Sequence, residues 1–115
     1  LRDNNDTPIT PEEWLMMKRG LLYTARKRAS RKGLACTINA DDIKWPKDGV
    51  CPILGEPLKK HRGKMERNTP SLDRKDSTKG YVPGNVYVVS WWSNYLKEQL
   101  SLEQAERMVE YIKNG

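Results

Sequence analysis

Residues 70–97 read PSLDRKDSTKGYVPGNVYVVSWWSNYLK. Within them Val86-Tyr87-Val88-Val89 is β-branched or aromatic throughout, the composition that packs on a pleated surface, and it is the strongest strand signal in the chain. Upstream, Ser71-Leu72-Asp73-Arg74-Lys75 is a short strand candidate, and Gly80-Tyr81-Val82-Pro83-Gly84-Asn85 is a turn-rich loop. Downstream, Ser90 can cap a helix running from Trp91 to about Gln99. Residues 71–99 therefore predict strand, loop, strand and helix in immediate succession.

Upstream of this stretch, Thr10-Pro11-Glu12-Glu13 predicts a helix start, with Thr10 as N-cap, Pro11 in the first turn and Glu13 closing a capping box. Trp14, Met17, Leu21, Ala25 and Ala29 recur at three- and four-residue steps, and Gly33 supplies the stop. Arg19, Arg26 and Lys27 lie off that apolar stripe, which makes the helix basic outside and apolar inside. Asp41 to Trp45 reads as a short helical turn ended by Pro46, and Val50 to Gly55 as a short strand weakened by Pro52. Downstream, Ser101 and Gln104 form a capping box ahead of a last helix with Leu102, Ala105, Met108, Val109 and Ile112 on one face. The expected architecture is a single α+β domain over 1–115. Its strand–loop–strand–helix centre is packed between an N-terminal basic amphipathic helix and a C-terminal helix.

Composition narrows the function classes. The 115 residues carry 21 Lys and Arg against 15 Asp and Glu, a formal charge of +6, which favours an anionic partner. Seven basic residues and no acid fall between Lys18 and Lys32, and Lys59, Lys60, Arg62, Lys64 and Arg67 form a second cluster. Each run alone is as compatible with a solvated face, but two runs ahead of one motif point to phosphate binding. No run is long and apolar enough to span a bilayer, and the opening LRDNNDTP lacks a signal-peptide layout. The first residue is Leu1 rather than Met, as in a processed product or a fragment. Cys36 and Cys51 cannot build a disulfide framework, nor complete a four-ligand zinc site with the single His61. The expectation is a cytoplasmic protein with DNA, duplex or branched, as partner and no membrane.

The phrases SLDRKD, GYVPGNVYVVS and SNYLK, preceded by CPILGEPL, resemble the HNH or His-Me finger endonucleases of the small phage type, and distantly the phage recombination endonuclease VII group. The resemblance covers about a quarter of the chain. It implies a ββα-metal motif over 71–99, metal-dependent hydrolysis of DNA phosphodiesters with Mg²⁺ or Mn²⁺, and a phage or prophage origin in a bacterial host. Matched residue by residue, Asp73 takes the metal-ligand position on the first strand and Asn85 the central Asn position, where it would staple the loop. Asn94 takes the ligand position on the helix, with Lys97 three residues on.

One position departs from the family pattern. Arg74 stands where the family places its general-base histidine, and a guanidinium has no acceptor and stays protonated. Two readings follow. In one, a variant nuclease uses Arg74 to clamp the scissile phosphate while another group takes the proton, His61 being the candidate from the upstream basic stretch. In the other, the motif is a catalytically inactive nucleic-acid-binding or inhibitory module. A basic partner for an acidic protein is a third. The expected nucleic-acid contacts are Arg19, Arg26, Lys27, Arg31, Lys59, Lys60, Arg62, Lys64 and Lys97. Asp76 is expected to steady the loop, at least one of Trp91 and Trp92 to anchor the core, and Cys51 to be a small buried apolar residue.

Overall fold

The computed structural model describes residues 9–60 and 65–115. Helix α1 runs Pro11–Lys32. Thr10 caps it in a complete capping box with Glu13, and Gly33 ends it in the left-handed conformation (φ 67°), where only glycine avoids a Cβ penalty. Two single turns of 3₁₀ helix follow, Ala40–Asp42 and Lys47–Gly49. Strands β1 (Pro70–Arg74) and β2 (Val86–Ser90) pair antiparallel with Leu72 opposite Val88 and Asp73 opposite Tyr87. Helix α2 (Trp91–Gln99) continues directly from β2, and α3 (Leu102–Asn114) closes the chain. The result is a small mixed α+β domain in which two strands pass straight into a helix.

The core sits where α1 crosses the sheet. Leu22, Ala25 and Ala29 of α1 are buried in one cluster with Leu72, Val86, Val88 and Val89 of the strands, and Ile38, Ile43, Cys51 and Leu58 fill it from the irregular segment. The two alanines keep the later turns of α1 slim. Trp14 and Trp45 meet edge to face at 4.8 Å and pack against the side of the cluster. Gly80 lets the loop between the strands lie against residue 35, because a Cβ there would run into the Ala35 carbonyl. That closeness allows Tyr81 N–H to donate to Ala35 O and Thr37 N–H to Tyr81 O, both at 2.9 Å.

Three expectations are corrected. Val50 to Gly55 forms no strand. It folds back as a tight turn, with Gly55 N–H on Cys51 O, Cys51 N–H on Glu56 O and an isolated bridge between Val50 and Pro57. Pro52 lacks the donor a ladder needs, and Gly55 takes φ 77°. The C-terminal helix does not pack against the motif. Leu100 leaves α2 extended, and every α3 residue except Ala105 is exposed, Leu102 at 76% and Ile112 at 68%. Two five-residue strands offer little apolar area, and α1 and α2 already cover it. Lastly, neither Trp91 nor Trp92 belongs to the core cluster; both are half-buried, and Trp14 and Trp45 are the tryptophans packed against it.

Candidate functional site

A cleft of about 670 Å³ opens between the end of α1 and the strand–strand–helix unit. One wall carries Arg28, Arg31 and Lys32 of α1, and the other carries Asp73, Arg74, Trp91, Asn94, Tyr95, Lys97 and Glu98. Helical spacing explains the basic wall: positions 28, 31 and 32 stand at i, i+3 and i+4 and share a face. On the opposite wall, β1 runs out to Asp73 and Arg74 while α2 returns beside it, so the Asp73 carboxylate meets Lys97, 24 residues later in the chain, and Ser71 meets Asn94.

The start of α2 is fixed from the CPILGEPL segment. Ser90 Oγ accepts the Ser93 N–H at 3.0 Å as N-cap, and the Ser90 and Ser93 hydroxyls both donate to Glu56 Oε1. The Ser90 N–H donates to Cys51 Sγ at 3.2 Å. A carboxylate at a helix N-terminus also complements the helix dipole. Burial pushes the Cys51 thiol up, but its hydrogen bonds to Ser93 and to nearby backbone groups outweigh this and hold it below the ordinary thiol range. Cys51 is buried, as its composition suggested, and it anchors the cap as well.

Within the cleft, the Lys97 ammonium lies 3.0 Å from both Asp73 carboxylate oxygens and donates to Arg74 O at 2.8 Å. Three oxygens thus converge on one positive charge. Asn94 is buried, its Nδ2 donating to Ser71 Oγ at 3.3 Å. Among the described residues, Asn94 Oδ1 is the buried side-chain oxygen that has no hydrogen-bond partner. Such an atom costs about 1–3 kcal/mol unless something else satisfies it.

Arg74 is turned toward its own loop. Its Nη1 donates to Ser77 O at 2.7 Å and Lys79 O at 2.9 Å, and the guanidinium lies 5.4 Å from the Tyr81 ring centroid. Asn85 staples the same loop: Oδ1 accepts the Asp76 N–H at 2.9 Å, and Nδ2 donates to Asp76 O and Gly80 O at 3.1 and 2.9 Å. Asp76 Oδ1 accepts from the Thr78 hydroxyl and N–H, which holds its carboxyl below the usual range. Asn85 and Asp76 occupy the supporting positions expected of them.

The basic residues separate into groups. Arg31 and Lys97 line the cleft, whereas Arg19, Arg26 and Lys27 are exposed and do not line it. Lys60 forms an ion pair with Glu13 at the start of α1, and Lys59 is half-buried outside the cleft. His61, Arg62 and Lys64 lie outside the described residues. Arg28, Lys32 and Glu98 were not foreseen as site residues, although the i, i+3, i+4 spacing of the two cations with Arg31 was visible in the sequence. Among the described residues, no three His, Cys, Asp or Glu side chains gather at one point. No protein-family model matches the chain, and neither a curated protein nor a solved structure matches it.

Proposed function

We propose that the chain is a metal-dependent DNA endonuclease of the HNH type. One observation carries the reading: Asn94, whose buried Oδ1 has no hydrogen-bond partner, and Asp73 both line one cleft, together with the cationic Arg28, Arg31 and Lys32. Two hard oxygen donors suit Mg²⁺ or Mn²⁺, and Asp73 and Asn94 would hold that ion once Lys97 swings off the carboxylate. A bound divalent ion supplies charge stabilisation at the phosphoryl oxygens and at the leaving oxygen. Arg28, Arg31 and Lys32 hold backbone phosphates without reading sequence. Lys97, released, remains within the cleft as a cation for the same phosphates. Arg74 keeps its loop folded through Ser77 and Lys79, and its remaining guanidinium nitrogens are the groups available to a phosphate. Asp73 and Glu98 are the carboxylates that line the cleft, and with Asp73 assigned to the metal, Glu98 is the proton acceptor to test beside His61.

The second reading, a nucleic-acid-binding module with no hydrolytic activity, is favoured by the Lys97 ammonium already seated against Asp73. Plasmid and branched-DNA cleavage with Mg²⁺, Mn²⁺ or EDTA separates the two. Metal-dependent nicking that Asp73→Asn and Asn94→Ala each reduce supports the nuclease. DNA binding with no nicking under any metal supports the module.

A further inference from the structure

Trp91, Trp92 and Tyr95 share one face of α2. Tyr95 lies nearly parallel to both tryptophans, with centroids 5.6 Å from Trp91 at 20° and 5.8 Å from Trp92 at 13°. None of the three belongs to the hydrophobic core, so core packing does not account for them. The Arg67 guanidinium covers Trp92 at 4.4 Å, whereas Trp91 and Tyr95 form part of the cleft wall, Tyr95 with 43% of its surface exposed. Across the same cleft stand Arg28, Arg31 and Lys32.

An aromatic wall facing a cationic wall is the arrangement that takes a single nucleic-acid strand, its phosphates on the cations and its bases against the rings. In a blunt duplex the bases are stacked on one another, and the rings have nothing to receive. We infer that Trp91 and Tyr95 form a stacking platform for unpaired bases, and that the cleft prefers single-stranded DNA to blunt duplex. The inference rests on the DNA reading above but not on hydrolysis.

The test is fluorescence anisotropy of the full chain in EDTA with a labelled oligothymidylate and a blunt duplex of equal length, at one salt concentration. Wild type should bind the single strand more tightly. Trp91→Leu and Tyr95→Leu should each lose about 5- to 100-fold on the single strand, the value of one base–aromatic stack, with little change on the duplex. Trp91→Phe, which keeps a ring, should retain most of the affinity. Tyr95→Leu changes an exposed residue and decides the matter if Trp91→Leu fails to fold. No single-strand preference in wild type, or equal losses on both ligands, overturns the platform. Tighter binding of an oligouridylate overturns the assignment to DNA. A parallel arm with Mg²⁺ keeps the two proposals apart. Duplex cleavage without single-strand preference sinks the platform and leaves the nuclease, and single-strand preference without cleavage does the reverse.

Discussion

The cation cage around Lys97 makes one sharp prediction. Lys97 Nζ holds both Asp73 oxygens at 3.0 Å and Arg74 O at 2.8 Å, and a divalent ion at Asp73 needs the same carboxylate. On the proposed reading, ammonium and metal therefore compete. With the Lys97 side chain 38% exposed and that of Asp73 12% exposed, solvent screens the pair, and its worth is about 1 kcal/mol rather than the several a dry pair would suggest. Competition from Lys97 should thus leave metal binding in the wild type about fivefold weaker than it would be without the ammonium. Lys97→Met, which keeps most of the aliphatic stem, should tighten Mn²⁺ binding by that factor in a titration followed by water-proton relaxation. The same variant should lose about 1 kcal/mol of stability without metal and recover it on adding Mg²⁺. Asp73→Asn should weaken Mn²⁺ binding in both backgrounds. Equal Mn²⁺ affinities for wild type and Lys97→Met would show that ammonium and metal do not share a site, and the reasoning from the cage would fail.

Asn85→Ala removes three hydrogen bonds that close the loop between the strands and should cost about 2–3 kcal/mol by urea denaturation; a change within about 0.5 kcal/mol would mean that backbone pairing holds the loop without it. Acid should loosen the fold in a defined direction. The Lys60 hydrogen bond and the Thr10 N–H hold Glu13 below the ordinary carboxylate range, and the Thr78 hydroxyl and N–H do the same for Asp76. Their contribution is complete above the ordinary carboxylate pKa of about 4 and is lost as the pH falls through the lowered values. Melting temperatures followed downward from neutral pH should drop in that window, and Asp76→Asn should flatten the drop. An unchanged slope would place the acid sensitivity elsewhere.

Local chemistry made most of the elements legible. Thr10, Glu13 and Gly33 bound α1, Ser90 starts α2, and Ser101 with Gln104 starts α3, because a cap is a contact between residues a few positions apart. Asn85 was legible for the same reason. What was not legible depended on distant chain segments meeting. Glu56 gives no sign in sequence that it will reach the α2 N-terminus, 34 residues on. At least one of Trp91 and Trp92 reads as core by composition, yet the sheet they adjoin is too narrow to cover either, and α3 carries an apolar seam that the sequence suggests will be buried. A periodic pattern reports that a helix has an apolar face and leaves open what meets it. The cationic set went partly astray in the same way. Arg26 and Lys27 are as basic as Arg28 and Lys32, and the rotation of α1 on the sheet decides which of them face the cleft.

Arg74 shows how far the two readings of the site depend on one group. As a general base it is excluded by its chemistry, and the structure adds that Nη1 is engaged by the Ser77 and Lys79 carbonyls. Those bonds hold residues 74–79 in a closed loop. Arg74→Ala would therefore disturb the loop as well as remove a charge, so loss of cleavage alone would not identify a phosphate clamp. Arg74→Lys separates the effects, because an ammonium can reach one loop carbonyl but cannot present a planar fork to phosphate at the same time. If Arg74 only closes the loop, the Lys variant should keep its melting temperature and its cleavage together. If it also clamps phosphate, stability should survive while cleavage falls by on the order of 10²-fold, with Mn²⁺ affinity unchanged. A variant that loses stability and cleavage in proportion would assign Arg74 to the loop, and the catalytic load in the cleft would then rest on Asp73, Asn94 and the cations opposite them.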